Sequence, residues 1–263
     1  MKKVQVLVAA MNQHDYSLLN KMNIQSDVIV ANQSDFNRVD VFDYKGNQAI
    51  YLNFEERGVG LNRNNALMRA TGDICIFADD DMEYNNNYVD IVVNAFENQP
   101  DADVIIFNIV GRDVGKNLTT RKKRINYFNY LRFGTARIAV KLRPIRENAI
   151  YFNQCFGGGT SISHGEDNLF LTACLNRKLK VYAVPDFIAK LKENRESTWS
   201  TGYGEKYVQD QGFLYHAISR KWWKLLCLQD AFRRCKSYKM KWFDAYREMI
   251  KSVENQMDKR KDA

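Results

Sequence analysis

The chain has 263 residues, of which 45% are hydrophobic and 27% charged, and a formal net charge of +8. That length buries a full core, as one large α/β domain or one domain with an appendage, and the composition is that of a soluble globular protein. A spanning helix is excluded because no apolar run approaches the roughly 18–20 residues it needs. The five scattered cysteines (Cys75, Cys155, Cys174, Cys227 and Cys235) form no C-x-x-C pair and so indicate neither a disulfide framework nor a zinc cluster.

Residues 4–10 read as a first buried strand rather than a signal peptide, because the apolar stretch spans only about seven residues, is β-branched and contains Gln5. A turn at Asn12-Gln13 leads to a helix over 15–22. A second strand over 27–31 ends in the polar loop Asn32-Gln33-Ser34-Asp35, and residues 49–53 form a third. Gly58 and Gly60 introduce a helix over 61–69, with Asn62, Arg63 and Asn65 in or near its first turn. Residues 74–78 are an almost wholly apolar run, as expected of a strand buried on both faces of a parallel sheet. Asp79, Asp80 and Asp81 follow directly. Three adjacent acids repel one another and are costly to desolvate without a counter-charge, which a divalent cation would supply. The crevice at the carboxyl ends of strands is also where open α/β sheets bind ligands. A solvated acidic turn is the plainer account.

Alternation continues with a helix over 86–98 and a strand over 101–108, the pattern of a parallel, doubly wound sheet. Residues 111–146 are less regular and basic, with Tyr127, Phe128, Tyr130 and Phe133 interleaved. Such a segment could bind single-stranded nucleic acid or grip an acceptor, and no RNA-binding signature accompanies it. In FGGGTSISHGED (156–167) the glycines permit a close backbone approach or simply a turn, and the P-loop pattern is absent. Glu166-Asp167 opens a helix over 168–177, where capping by the macrodipole competes with a catalytic role. A last strand over 179–184 closes at Pro185, and residues 193–207 suggest an ordered loop over the site. From residue 208 the chain reads as basic amphipathic helix. Trp222, Trp223 and Trp242 would either pack as core or attach the chain to an anionic membrane surface.

Read together, GVGLNRNNALMRATGDICIFADDDMEY (58–84) resembles the central signature of family 2 inverting nucleotide-sugar glycosyltransferases, which have the GT-A fold. Arg63-Asn64, Gly72-Asp73 and the DxD element at Asp79-Asp80-Asp81 occupy the family's positions. FGGGTSISHGEDNLF is similar to the segment with its Glu-Asp pair, about 85 residues further on, and RESTW (195–199) to a motif of bacterial polysaccharide-assembly members. The resemblance covers about residues 3–210. It implies a Rossmann-like α/β fold with a mostly parallel central sheet over residues 1–203, divided into a nucleotide-binding half (1–110) and an acceptor half (111–203). A basic helical extension (204–263) follows.

The resemblance also implies the chemistry. A sugar would pass from a UDP-linked donor to a hydroxyl of a glycan or lipid-linked glycan, with inversion, in the synthesis of a surface polysaccharide such as capsule. Asn12, Asn32, Arg63, Asp79 and Asp80 would bind the nucleotide sugar, Asn32 falling where the family commonly has an aspartate to the uracil. Asp79 and Asp81, on one side of an extended chain, would hold Mn²⁺ or Mg²⁺, with Asp80 facing away or acting through water. His164 and His216 are candidates for a further ligand and equally for structural histidines. Asp167 would be the general base and Glu166 would position the acceptor. The expected setting is cytoplasmic, peripheral on the inner face of the membrane, with no nucleic-acid partner. Two rivals are a nucleotidyltransferase, whose glycine- and lysine-rich first loop Ala10-Met11-Asn12-Gln13 does not resemble, and a non-catalytic basic module.

Overall fold

The computed structural model describes residues 2–113, 115, 118–191 and 203–259. Its centre is three apolar strands, β1 (Val4–Met11), β2 (Asp27–Gln33) and, after β3 (Arg38–Tyr44), β4 (Asn47–Phe54) and α2 (Val59–Arg69), β5 (Ile74–Asp79). β1 pairs in parallel with both β2 and β5, so that Ala9 lies opposite Asp79 and Met11 opposite Gln33. The carboxyl ends of these strands therefore open onto one crevice. Side chains alternate across the sheet as the two-residue period requires. Val6, Val8 and Val30 pack with Leu18 and Leu19 of α1 (Ser17–Lys21) and with Tyr88, Val92 and Phe96 of α3 (Tyr88–Glu97). Leu7, Ile29 and Phe77 pack on the other face with Ala66 and Leu67 of α2 and Phe170 of α5 (Glu166–Asn176). Helices thus cover both faces, in the doubly wound α/β arrangement expected.

The ten-stranded sheet runs β3-β4-β2-β1-β5-β9-β7-β10-β6, with β8 paired to β10. Here β6 is Met82–Tyr84, β7 Val104–Val110, β8 Lys123–Arg124, β9 Ile138–Lys141 and β10 Val181–Leu191. Three features depart from the sequence expectations. β3 is an added edge strand, turned onto β4 at Lys45 and Gly46, both with positive φ (54° and 78°). It was hidden because Val39 and Val41 point to solvent, 53% and 60% exposed. β9, inside the basic irregular stretch, runs antiparallel between β5 and β7 and is followed by α4 (Leu142–Glu147), so the sheet is mixed. β10 does not close at Pro185: register shifts against β7 between Ala183 and Phe187 absorb the missing N–H, and pairing resumes to Leu191.

Beyond the sheet, α6 (Glu205–Ile218), α7 (Trp223–Tyr238) and α8 (Trp242–Lys259) form a helical unit with its own core, including Val208, Tyr215, Cys227, Ala245 and Met249. The backbone of α8 at Met249 leaves no room for a Cβ at Gly212, so α6 and α8 touch main chain to main chain there. Of the three tryptophans at issue, Trp223 is buried in this core, whereas Trp222 and Trp242 are 55% and 44% exposed. The RESTW motif and most of the expected loop over 193–207 lie outside the described residues.

Candidate active site

Two glycine segments bring the distant acidic motifs together. The first residues of α2 and the 156–160 loop approach closely: the Val59 N–H donates to Gly158 O at 2.9 Å, and a Cβ on Gly159 would lie 2.9 Å from the Gly58 nitrogen. Gln33 Oε1 accepts the Gly58 N–H at 2.9 Å, tying the start of α2 to the end of β2. Asn64 exchanges two hydrogen bonds with the backbone of Phe152, at 2.8 and 2.9 Å. Gly157, at φ +101°, faces Glu166 so closely that a Cβ would sit 2.7 Å from Oε2. Gly157 and Gly159 serve a close approach as well as a turn.

At the centre lies Arg63, 6% exposed. Its Nη2 donates to Asp79 Oδ1 at 2.7 Å, its Nη1 to Glu166 Oε1 at 2.8 Å, and its guanidinium carbon lies 5.5 Å over the Phe152 ring. Burial alone would lower the Arg63 pKa, but the two carboxylates more than offset that and raise it. Asp167 follows Glu166, half-buried, with Oδ1 accepting the Asn168 N–H at 2.7 Å. Burial, then the charge of Glu166, push its pKa up to about 7, against the opposing pull of that N–H, Arg63 and Arg112. A Cβ on Gly134 would meet Arg112 Nη2 at 2.6 Å and Asp167 Oδ2 at 3.4 Å, which sets the guanidinium and the carboxylate around one spot.

The loop before this pair is held by α6. Asp210, fully buried, accepts from the Ser163 N–H and Oγ at 2.9 and 2.8 Å and pairs with Lys206. His164 Nε2 donates to Gln211 Oε1 at 2.7 Å, and its ring stacks on Tyr207 at 4.1 Å. Burial lowers the His164 pKa, with Gln211 and Asp210 opposing. This places His164 in the clamp on α6, and His216 packs edge-on to Trp223 at 5.5 Å in the helical unit. Their surroundings are structural.

Other expected residues are placed as follows. Asn12 is exposed just past β1, at φ +55°. Asn32 is fully buried: its amide binds Gln13 O and Asn53 Oδ1 and accepts from the Gln13 N–H. These bonds tie the amide into the first loop and to β4. Arg63 engages its two Nη groups with carboxylates, while its buried Nε has no hydrogen-bond partner among the described residues. β5 ends at Asp79, and Asp80-Asp81 turn into β6, so the alternation of an extended chain does not sort the triplet. Gln13 Nε2 donates to Asp80 Oδ2 at 3.3 Å, making Asp80 part of the crevice rim.

Among the described residues no group of three or more His, Cys, Asp or Glu side chains is arranged to hold a metal ion. The hard oxygens of Asp79–Asp81 nonetheless suit Mg²⁺ or Mn²⁺, which bind through one or two carboxylates together with substrate phosphates. Sequence reasoning missed Gln13, Gln33, Arg112 and Asp210. Arg112 had a signal, standing two residues past the carboxyl end of β7, on the ligand edge of the sheet.

Comparison with known proteins adds independent findings. The sequence model described as Glycosyl transferase family 2 matches residues 16–157, a little over half of the chain, and ends before Glu166. A glucosyl-dolichyl phosphate glucuronosyltransferase of Haloferax volcanii is 32% identical over 76 residues, 28% of this chain and 24% of that protein. The match thus spans about a quarter of the curated relative. S. aureus TarS 1–349 in complex with UDP-GlcNAc has a TM-score of 0.65 at 16% identity, covering 95% of this chain and 81% of that one. Its UDP complex gives 0.63 at 18%, covering 97% and 82%. At such identities the likeness is one of fold.

Proposed function

The chain belongs to glycosyltransferase family 2, and from that premise we propose that it transfers a sugar from a UDP-sugar to a hydroxyl of a glycan or lipid-linked glycan, inverting the anomeric carbon. The observation that carries the reading is the Arg63 bridge, which gathers the DxD element and the Glu-Asp pair into one crevice. The UDP and UDP-GlcNAc in the complexes of similar fold support the donor. Asp167 takes the proton of the acceptor hydroxyl as its oxygen attacks, and a pKa of about 7 suits a base working near neutrality. Glu166, fixed by Arg63, orients that acceptor. Asn12 and Asp80 line the donor side, and Asp79 and Asp81 would hold Mg²⁺ or Mn²⁺ with the donor pyrophosphate. When bound, the ion neutralises charge on the departing nucleoside diphosphate. Nucleotide release is measured from UDP-, GDP- and dTDP-sugars with and without Mn²⁺. Mn²⁺-dependent release from a UDP-sugar is expected, and its absence with every donor sinks the reading.

A second observation bears on location. Trp222 just before α7, Leu225 and Phe232 of α7, and Trp242 and Phe243 of α8 are exposed beside Lys221, Lys224 and Arg233. No described helix is long and apolar enough to cross a membrane. This face suits reversible attachment to an anionic membrane surface, where each basic residue adds about 1 kcal/mol, in keeping with a lipid-linked acceptor.

A further inference from the structure

Basic side chains collect beside Asp167: Arg112 borders it, and Arg112 and Arg132 both lie near Arg137. Arg112 is half-buried, and its guanidinium donates no hydrogen bond to any described residue. Its neighbour Arg137 is already matched by the buried Asp113. The Asp167 carboxylate borders the same spot as the Arg112 guanidinium without a hydrogen bond between them. A cationic strip continues from there. Burial, then the charges of Arg132 and Arg121, lower the pKa of Lys123, and Arg112 and Arg132 both act on Arg137 in the same sense. Cations gathered beside a cleft raise the local concentration of anionic ligands. A planar guanidinium with open donors fits the oxygens of a phosphate or carboxylate in two-pronged fashion.

We propose that the acceptor is anionic, with a phosphate or carboxylate next to its reactive hydroxyl bound by Arg112, and with further negative groups following Arg132, Lys123 and Arg121. This rests on the glycosyltransferase reading and names the acceptor class that reading leaves open. Anchoring the acid at Arg112 puts the adjacent hydroxyl beside Asp167 Oδ2, because both groups border Gly134. It also makes acceptor capture a salt-sensitive step, since charges at a part-exposed cleft are screened within about 10 Å at 0.1 M salt.

Three acceptors of matched sugar content test this: a neutral oligosaccharide, one containing uronic acid, and one linked through phosphodiesters. Binding of each is followed by tryptophan fluorescence without donor, and transfer is followed with a UDP-sugar. At least one anionic acceptor should bind roughly tenfold more tightly than the neutral one, the scale of a hydrogen-bonded charge. That preference should shrink at high salt. Arg112→Gln should remove it through the acceptor KM, with the donor KM moving less than twofold, and Arg112→Lys should keep part of it. Equal binding of neutral and anionic acceptors overturns the proposal, as does an Arg112→Gln chain that keeps the preference. If Arg112 served only to tune Asp167, the substitution would shift the pH profile and leave acceptor binding alone, which also overturns it. Arg112-dependent anion binding without nucleotide release would sink the donor reading while supporting this site. The two ideas therefore fail separately.

Discussion

Asp167 places activity and stability in opposition. Its folded pKa, about 7, lies above the usual carboxylate value. Both states hold the proton well below pH 4; between about pH 4 and 7 the unfolded chain loses it first, so stability falls as pH rises. Over the upper part of that window the basic form appears, and kcat/KM should rise with unit slope to a plateau above about pH 7. Asp167→Asn should reduce turnover roughly 10²–10⁴-fold with little change in donor affinity. The same variant should match wild type in urea at pH 4 and exceed it at pH 8. Near-normal turnover in the variant would leave Asp167 as a helix cap. Arg63→Met strands two carboxylates, and breaking a buried pair costs about 3–5 kcal/mol. The lower end is expected because Asp79 is 35% exposed, and urea midpoints measure it. The acidic residues were visible in the sequence because clustered carboxylates are unusual next to an apolar run. Arg63's role was not, since its partners stand 16 and 103 residues away. The bonds of Asn32 to Gln13 and Asn53 were not legible either, because a motif position says nothing of the neighbours that engage its amide.

At the scale of elements, the approach of α2 to the glycine loop decides whether the site exists. Gly157→Ala combines an unfavourable φ of +101° with contacts on Val59 and Glu166. It should cost about 1–3 kcal/mol, some 2–4 °C in Tm per kcal/mol for a chain of this size, and lower kcat by displacing Glu166. Gly46→Ala is the control, having φ +78° but nothing within 4 Å. It should cost about 1 kcal/mol in backbone strain and leave kcat unchanged. Equal loss of kcat in both would mean that the glycine contact does not set the site. The buried strands β1, β2 and β5 were legible because parallel strands covered on both faces are continuous apolar runs. β3 and β9 were not: one shows its valines to water, and the other is four residues long within basic loops. Pro185 was over-read, since a proline at a register shift leaves the strand free to continue.

For the whole molecule, the helical unit faces both ways. One side of α6 holds Ser163 and His164, and the outer surface of α7 presents aromatic and basic groups. Vesicle co-sedimentation should show the chain on anionic lipid at low salt and release by high salt. Equal behaviour on neutral vesicles ends the attachment idea without touching the chemistry. The sequence marked a helical extension from about residue 204 but gave no sign that it supports the site, because Asp210 and Gln211 read as ordinary polar positions of an amphipathic helix. The clamp has a consequence for the order of synthesis. Residues 63, 79 and 112 are made well before 166 and 167, and the helix that steadies those two comes later still. A chain growing on the ribosome therefore carries its donor-side acids while its base loop lacks support. On the proposed mechanism, catalysis would wait for residues 205–218 to emerge, and nascent chains would not consume donor.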